Sequence, residues 1–90
     1  MPLVALNLSF DQTSLTVPAD STFAIAFDNR DGVPHNVNVR GNGITRESDP
    51  FTGPATRTFD YAGVPAGTYT FFCSVHPDMT GVLNSVAGGG

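Results

Sequence analysis

The 90-residue sequence contains one cysteine, no tryptophan and no lysine. A single cysteine excludes an internal disulfide, so a chain this small lacks a covalent staple. Its apolar stretches fall far short of the roughly 20 residues that span a membrane. Basic runs are absent and the net charge is −4, which argues against a nucleic acid partner. We expect one globular domain at 1–87. The glycines at 88–90 are expected to form a flexible tail, a linker or a cloning remnant.

The pattern that is present has a period of two, which is typical of half-buried β-strands. Apolar residues alternate at Val4, Leu6, Leu8 and Phe10, and again at Phe23, Ile25 and Phe27. Further strands are expected over 15–17, 37–39, 56–61, 68–73 and 80–86. The glycine- and proline-rich segment 41–55 predicts a surface loop, with at most a turn or two of helix within 45–52. Leu83 and Val86 are three apart, which predicts a bulge at Asn84–Ser85 or an altered chain end. Six to eight short strands indicate an all-β sandwich or barrel with little helix.

One short segment concentrates metal-binding chemistry. Cys73, His76 and Met79 follow one another at intervals of three, where a strand is expected to end. The only other histidine, His35, lies at the start of an upstream strand. Each of these residues alone is more often a core or surface residue. Together they use every histidine and cysteine of the chain, which favours a shared metal ion.

The donor types select the metal. Two imidazoles and one thiolate with a weak thioether are the ligands of blue copper sites. Zinc prefers a fourth strong donor, and iron–sulfur clusters need several thiolates. The sequence therefore predicts one copper ion.

The segment Gly67–Pro77 and the upstream Pro34-His35-Asn36-Val37 resemble the cupredoxins, the small blue copper proteins. The short spacing from His76 to Met79 is similar to that of the amicyanin loop. The resemblance implies a Greek-key β-sandwich of about seven to eight strands, with His35, Cys73 and His76 as equatorial copper ligands and Met79 as the axial ligand. It also implies that the Asn36 side chain ties down Ser74 and that the Asn36 N–H points at the Cys73 sulfur. Phe72 stands where plastocyanins have a tyrosine, which puts a tyrosine-based docking patch in doubt.

The same resemblance implies a one-electron carrier, not an enzyme, because four protein donors leave no open coordination position. Electrons would leave through His76, within an apolar patch that docks redox partner proteins. The residues expected in that patch are Val33, Pro34, Val75 and Pro77, with Val64 and Pro65 as further candidates. Two alternatives stay open, namely a copper domain of a larger oxidase or reductase and a copper-delivery module. We expect a monomer that is exported to the periplasm or the cell exterior, although no signal peptide is visible in this sequence.

Overall fold

A computed structural model of the protein describes residues 1–87, so the predicted tail at 88–90 lies outside the described residues. The described chain consists of strands joined by turns and loops. The strands are β1 (Pro2–Leu6), β2 (Ser9–Phe10), β3 (Ser14–Pro18), β4 (Phe23–Asn29), β5 (Pro34–His35), β6 (Asn38–Gly41), β7 (Ile44–Arg46), β8 (Phe51–Thr52), β9 (Ala55–Tyr61), β10 (Gly67–Phe72) and β11 (Thr80–Val86). Residues 1–87 include no helix that is long and apolar enough to cross a membrane.

The strands form two main sheets. One has the order β2-β1-β4-β9, and the other has the order β3-β11-β10-β6-β7. A two-stranded ladder pairs β5 with β8. The chain crosses repeatedly from one sheet to the other, so β1 pairs with β4 in parallel and β3 pairs with β11 in parallel. This all-β sandwich confirms the predicted fold class. The strands number eleven in residues 1–87, because turns split several segments that the sequence pattern joins.

Alternate side chains of both sheets fill the space between them. Phe27 and Phe71 are both fully buried, one from each sheet. Phe10 contacts both of these rings, with centroid separations of 6.1 Å and 5.4 Å. Cys73 and Met79 belong to the same buried cluster. The core therefore reaches the end of the sandwich at which β10 stops and β11 begins.

The alternation of Val4, Leu6 and Leu8 predicted the wrong inward face for the first strand. Leu3 and Ala5 are fully buried, whereas Leu6 and Leu8 are about half exposed at 45% and 53%. The strand turns back at Asn7 and Leu8, whose φ angles are +54° and +59°. Such a two-residue hairpin needs positive φ at both positions. The hairpin pairs Ala5 with Phe10, so the two lie on the same, inward face.

Two further expectations are corrected in the second half of the chain. Segment 41–55 contains strands β7 and β8 instead of a plain loop, and 45–52 contains no helical turn. The predicted bulge at Asn84–Ser85 is absent, because β11 pairs in continuous register with β10 and β3. Ser85 takes the inward position instead of Val86, and its hydroxyl donates to the Val64 carbonyl at 3.1 Å. Since that bond satisfies the buried hydroxyl, the alternation of β11 continues undisturbed.

Candidate metal centre

His35 is held by strand pairing at one end of the sandwich. It pairs with Phe51 in the β5–β8 ladder, and its side chain is fully buried. The preceding turn is organised by Asn29, whose amide donates to the carbonyls of Val33 and Phe51 and accepts from the N–H of Asp31. Because Asn29 is itself fully buried, these bonds fix the backbone from which the His35 ring projects.

Cys73 begins a short loop that connects two paired strands. Phe72 and Thr80 face each other in the β10–β11 ladder, so the loop starts and ends at one place. The N–H of Cys73 donates to the carbonyl of Met79 at 3.0 Å, and the N–H of Met79 donates to the carbonyl of His76 at 2.9 Å. Cys73 and Met79 are buried, whereas His76 is partly exposed. The loop therefore presents two sulfur side chains inward and one imidazole nearer the surface.

Three donor atoms from these two regions converge. The Cys73 Sγ lies 3.7 Å from the His35 Nδ1 and 3.9 Å from the His76 Nδ1. Bonds of about 2.0 Å to nitrogen and about 2.3 Å to sulfur, opened to about 120°, separate nitrogen from sulfur by about 3.7 Å. The cluster thus has the spacing of three ligands around a single ion. One thiolate with two imidazoles is also the donor set that suits copper.

The cupredoxin-like domain family matches residues 3–84 of the chain. The chain is a member of the cupredoxin-like family. Plastocyanin of Capsella bursa-pastoris is 33% identical to this cupredoxin over 73 residues, which are 67% of this chain and 74% of the plastocyanin.

Solved cupredoxin structures share the fold. Auracyanin A of Chloroflexus aurantiacus, a blue copper protein, superposes with a TM-score of 0.79 at 24% identity, covering 96% of this chain and 97% of that one. Auracyanin of Roseiflexus castenholzii gives 0.77 at 18% identity, covering 94% of each chain. Amicyanin of Paracoccus versutus gives 0.71 at 20% identity, covering 94% of this chain and 79% of the amicyanin.

Family membership and donor geometry together confirm the predicted copper site. His35, Cys73, His76 and Met79 form the type 1 copper site of this cupredoxin. The first three carry the converging donor atoms, and buried Met79 is tied to Cys73 through its backbone carbonyl. The residues present therefore fit one copper ion.

Asn36 connects the two regions that carry these ligands. Its Oδ1 accepts from the Ser74 N–H at 2.8 Å, and its Nδ2 donates to the Ser74 Oγ at 2.8 Å. The same amide contacts the Asn38 Oδ1 at 3.2 Å and the Ser48 carbonyl at 3.1 Å. The contact with Ser74 is the one that the cupredoxin resemblance implies. Because Asn36 directly follows His35, it links the strand-held ligand to the ligand loop.

Sequence reasoning missed Ser48 and Asp31. The Ser48 hydroxyl donates to the Val37 carbonyl and accepts from the Val37 N–H, so it takes the place of a strand partner beside His35.

Asp31 accepts a hydrogen bond from the His35 ring at 2.8 Å. Its place four residues before a histidine, within a turn sequence, was the only available signal. Hydrogen bonds from the Leu8 N–H and then from the His35 ring lower the pKa of Asp31 below its ordinary value.

Proposed function

We propose that this cupredoxin is a one-electron carrier in which His35, Cys73 and His76 are equatorial copper ligands and Met79 is the axial ligand. The observation that carries the proposal is the convergence of the Cys73 sulfur with two imidazole nitrogens at 3.7 Å and 3.9 Å. Bound copper supplies one-electron exchange between Cu(I) and Cu(II). No substrate position is proposed, because the four side chains account for all the donors of such a site.

The chain's own residues hold the ligands in place and keep water out. Burial of Cys73 and His35 excludes solvent from most of the site, and Pro34 and Pro77 restrict the backbone beside one histidine each. A rigid ligand set suits electron transfer, because little has to move when the oxidation state changes. The predicted bond from the Asn36 N–H to the sulfur would add to this restraint and would raise the reduction potential.

His76 is the proposed exit for electrons, because it is the partly exposed ligand. Val75, next to His76, is 43% exposed, and Val33, two residues before His35, is 39% exposed. Pro34 and Pro77 are also exposed. Such a small apolar surface suits weak and short-lived docking of a redox partner. Val64 does not belong to it, since it is fully buried and bonds to Asp20 and Ser85. Pro65 is also excluded from the patch. It lies just before Gly67, which pairs with Ser85 at the end of β10 opposite to Cys73.

Copper loading tests the assignment. Metal-free protein that receives one equivalent of Cu(II) should develop an intense blue absorption from thiolate-to-copper charge transfer. Cys73→Ser should abolish the colour, because it removes the thiolate, whereas Ser21→Ala at an exposed site should retain it. A colourless wild-type product, or a blue Cys73→Ser variant, would overturn the proposed function.

An exported, monomeric carrier is part of the proposal. Thiols in an oxidising compartment tend to form disulfides. A single thiolate that binds copper is compatible with such a compartment. Fractionation of cells that express the natural gene should place the protein in the periplasm or the medium. Gel filtration should give the mass of one chain, and a cytosolic or dimeric protein would contradict this part.

A further inference from the structure

Asp31 contacts both a copper ligand and a strained turn. Its Oδ2 accepts from the His35 Nε2 at 2.8 Å and from the Leu8 N–H at 3.0 Å. Its Oδ1 accepts from the Asn7 N–H at 2.8 Å. Asn7 and Leu8 are the two hairpin residues with positive φ, a conformation that is costly for leucine. One carboxylate thus satisfies two N–H groups of the turn and one edge of the His35 ring.

The chemistry of this contact determines where the His35 ring carries its proton. An ionised carboxylate can only accept hydrogen bonds, so the Nε2 that faces it must carry hydrogen. In a neutral ring the Nδ1 is then bare, and this is the atom that lies 3.7 Å from the Cys73 sulfur. Without the carboxylate, the neutral ring could take the other tautomer, which places a hydrogen where a metal would bind.

His76 has no comparable restraint. Its Nδ1 faces the same sulfur at 3.9 Å, but within residues 1–87 no protein group hydrogen-bonds its Nε2. The ring is also partly exposed. Within the part of the chain that the structure describes, only the buried histidine is oriented by a carboxylate, so any effect of that carboxylate should be specific to His35.

We propose that Asp31 is a positioning residue that keeps the His35 proton on Nε2 and couples the orientation of this ligand to the Asn7–Leu8 turn. The inference rests on the proposed function for its effect on copper. Its effect on the ring proton does not depend on copper at all. A carboxylate that accepts from a ligating imidazole also makes that imidazole a stronger donor, which favours Cu(II) over Cu(I).

The first test observes the ring proton in metal-free protein. Nitrogen-15 NMR of the histidine side chains, recorded at a pH where the His35 ring is neutral, should show His35 with hydrogen on Nε2 and a bare Nδ1. A proton on Nδ1 in the wild type would overturn the proposal, and this result requires no variant to fold. Asp31→Asn should shift the His35 population toward the other tautomer. Asp28→Asn is the matched control, because it removes the same charge from a carboxylate that pairs with Arg30 and should leave His35 unchanged.

The second test measures copper. Asp31→Asn should weaken copper binding by about 10- to 100-fold and should raise the reduction potential, whereas Asp28→Asn should change neither. Unchanged binding and potential in Asp31→Asn would overturn the coupling to copper. If the wild type bound no copper at all but kept the Nε2 proton, the proposed function would fail while the assignment of Asp31 to the His35 proton would stand.

Discussion

The two histidines that face the Cys73 sulfur sit in different surroundings. His35 is fully buried, paired in a β-ladder and bonded to Asp31. His76 lies in a loop and is partly exposed. It is held through its backbone carbonyl, its contact with the sulfur and an edge-to-face contact of its ring with the His35 ring. Nearly equal distances to one sulfur therefore arise from two kinds of restraint. The comparison indicates that the strand side fixes the geometry of the site, while the loop side connects it to the surface.

The largest predicted effect is the difference between the two histidines in metal-free protein. His35→Ala should lower the free energy of unfolding by about 2–4 kcal/mol, because it leaves a cavity in the core and removes a hydrogen bond to a carboxylate. His76→Ala should change it by less than about 1 kcal/mol, because the ring is partly exposed. Urea denaturation measures both, and equal losses would contradict the comparison.

Asn36→Ala breaks the link between the strand side and the loop. It removes two reciprocal hydrogen bonds with Ser74 and leaves the Ser48 carbonyl and Asn38 without their amide donor. We expect a loss of about 1–3 kcal/mol in the free energy of unfolding. Hydrogen exchange of the Ser74 amide should accelerate more than that of amides in the centre of β4. Uniform acceleration of both would show that Asn36 only stabilises the whole fold.

Tyr61→Phe tests the strand side alone. The Tyr61 hydroxyl donates to the Val37 carbonyl at 2.8 Å, and burial raises the pKa of Tyr61, so it stays a neutral donor. The Val37 carbonyl keeps its bond from Ser48 in the variant. The loss should therefore be only about 0.5–1.5 kcal/mol, measured by urea denaturation, and the copper absorption should be unchanged. A shifted absorption would show that the hydroxyl affects the site itself.

Val75→Asp should have the smallest effect on stability and a selective effect on function. The residue is exposed, so the free energy of unfolding should change by less than about 0.5 kcal/mol. A charge beside His76 should slow electron exchange with a redox partner while the absorption stays the same. Val86→Asp, at the distant end of β11 and 49% exposed, is the matched control and should leave the rate unchanged. Equal electron-exchange rates in the Val75→Asp and Val86→Asp variants would show that the apolar patch does not dock the partner.

The copper ligands could be predicted from sequence because their chemistry is rare. Only one cysteine and two histidines occur in the chain, and their donor types, together with the thioether of Met79, restrict the possible metals. Alternation also predicted strands such as β3 and β4 correctly, since alternate residues of each face the core. Apart from His35, which is found because histidine is so scarce in the chain, these signals lie within a few residues of one another, where a pattern can be recognised.

The errors concern features that depend on distant partners. The inward face of β1 is set by its parallel pairing with β4 and by the turn at Leu8, which has no glycine to reveal it. The Ser48 hydroxyl hydrogen-bonds to the N–H and the carbonyl of Val37, as the backbone of a neighbouring strand would. The polar segment that contains Ser48 is therefore not a plain loop. Asp31 meets His35 because the turn after β4 folds back on itself. In each case the deciding contact joins residues whose pairing has no local pattern.

X-ray absorption at the copper edge of the loaded wild-type protein identifies the atoms bound to the ion and therefore tests whether Cys73, His35 and His76 share it. The spectrum should show one copper per chain with one short bond to sulfur and two bonds to nitrogen. A copper ion surrounded only by nitrogen and oxygen would show that the Cys73 sulfur does not share the ion with His35 and His76, and the proposed copper site would be wrong.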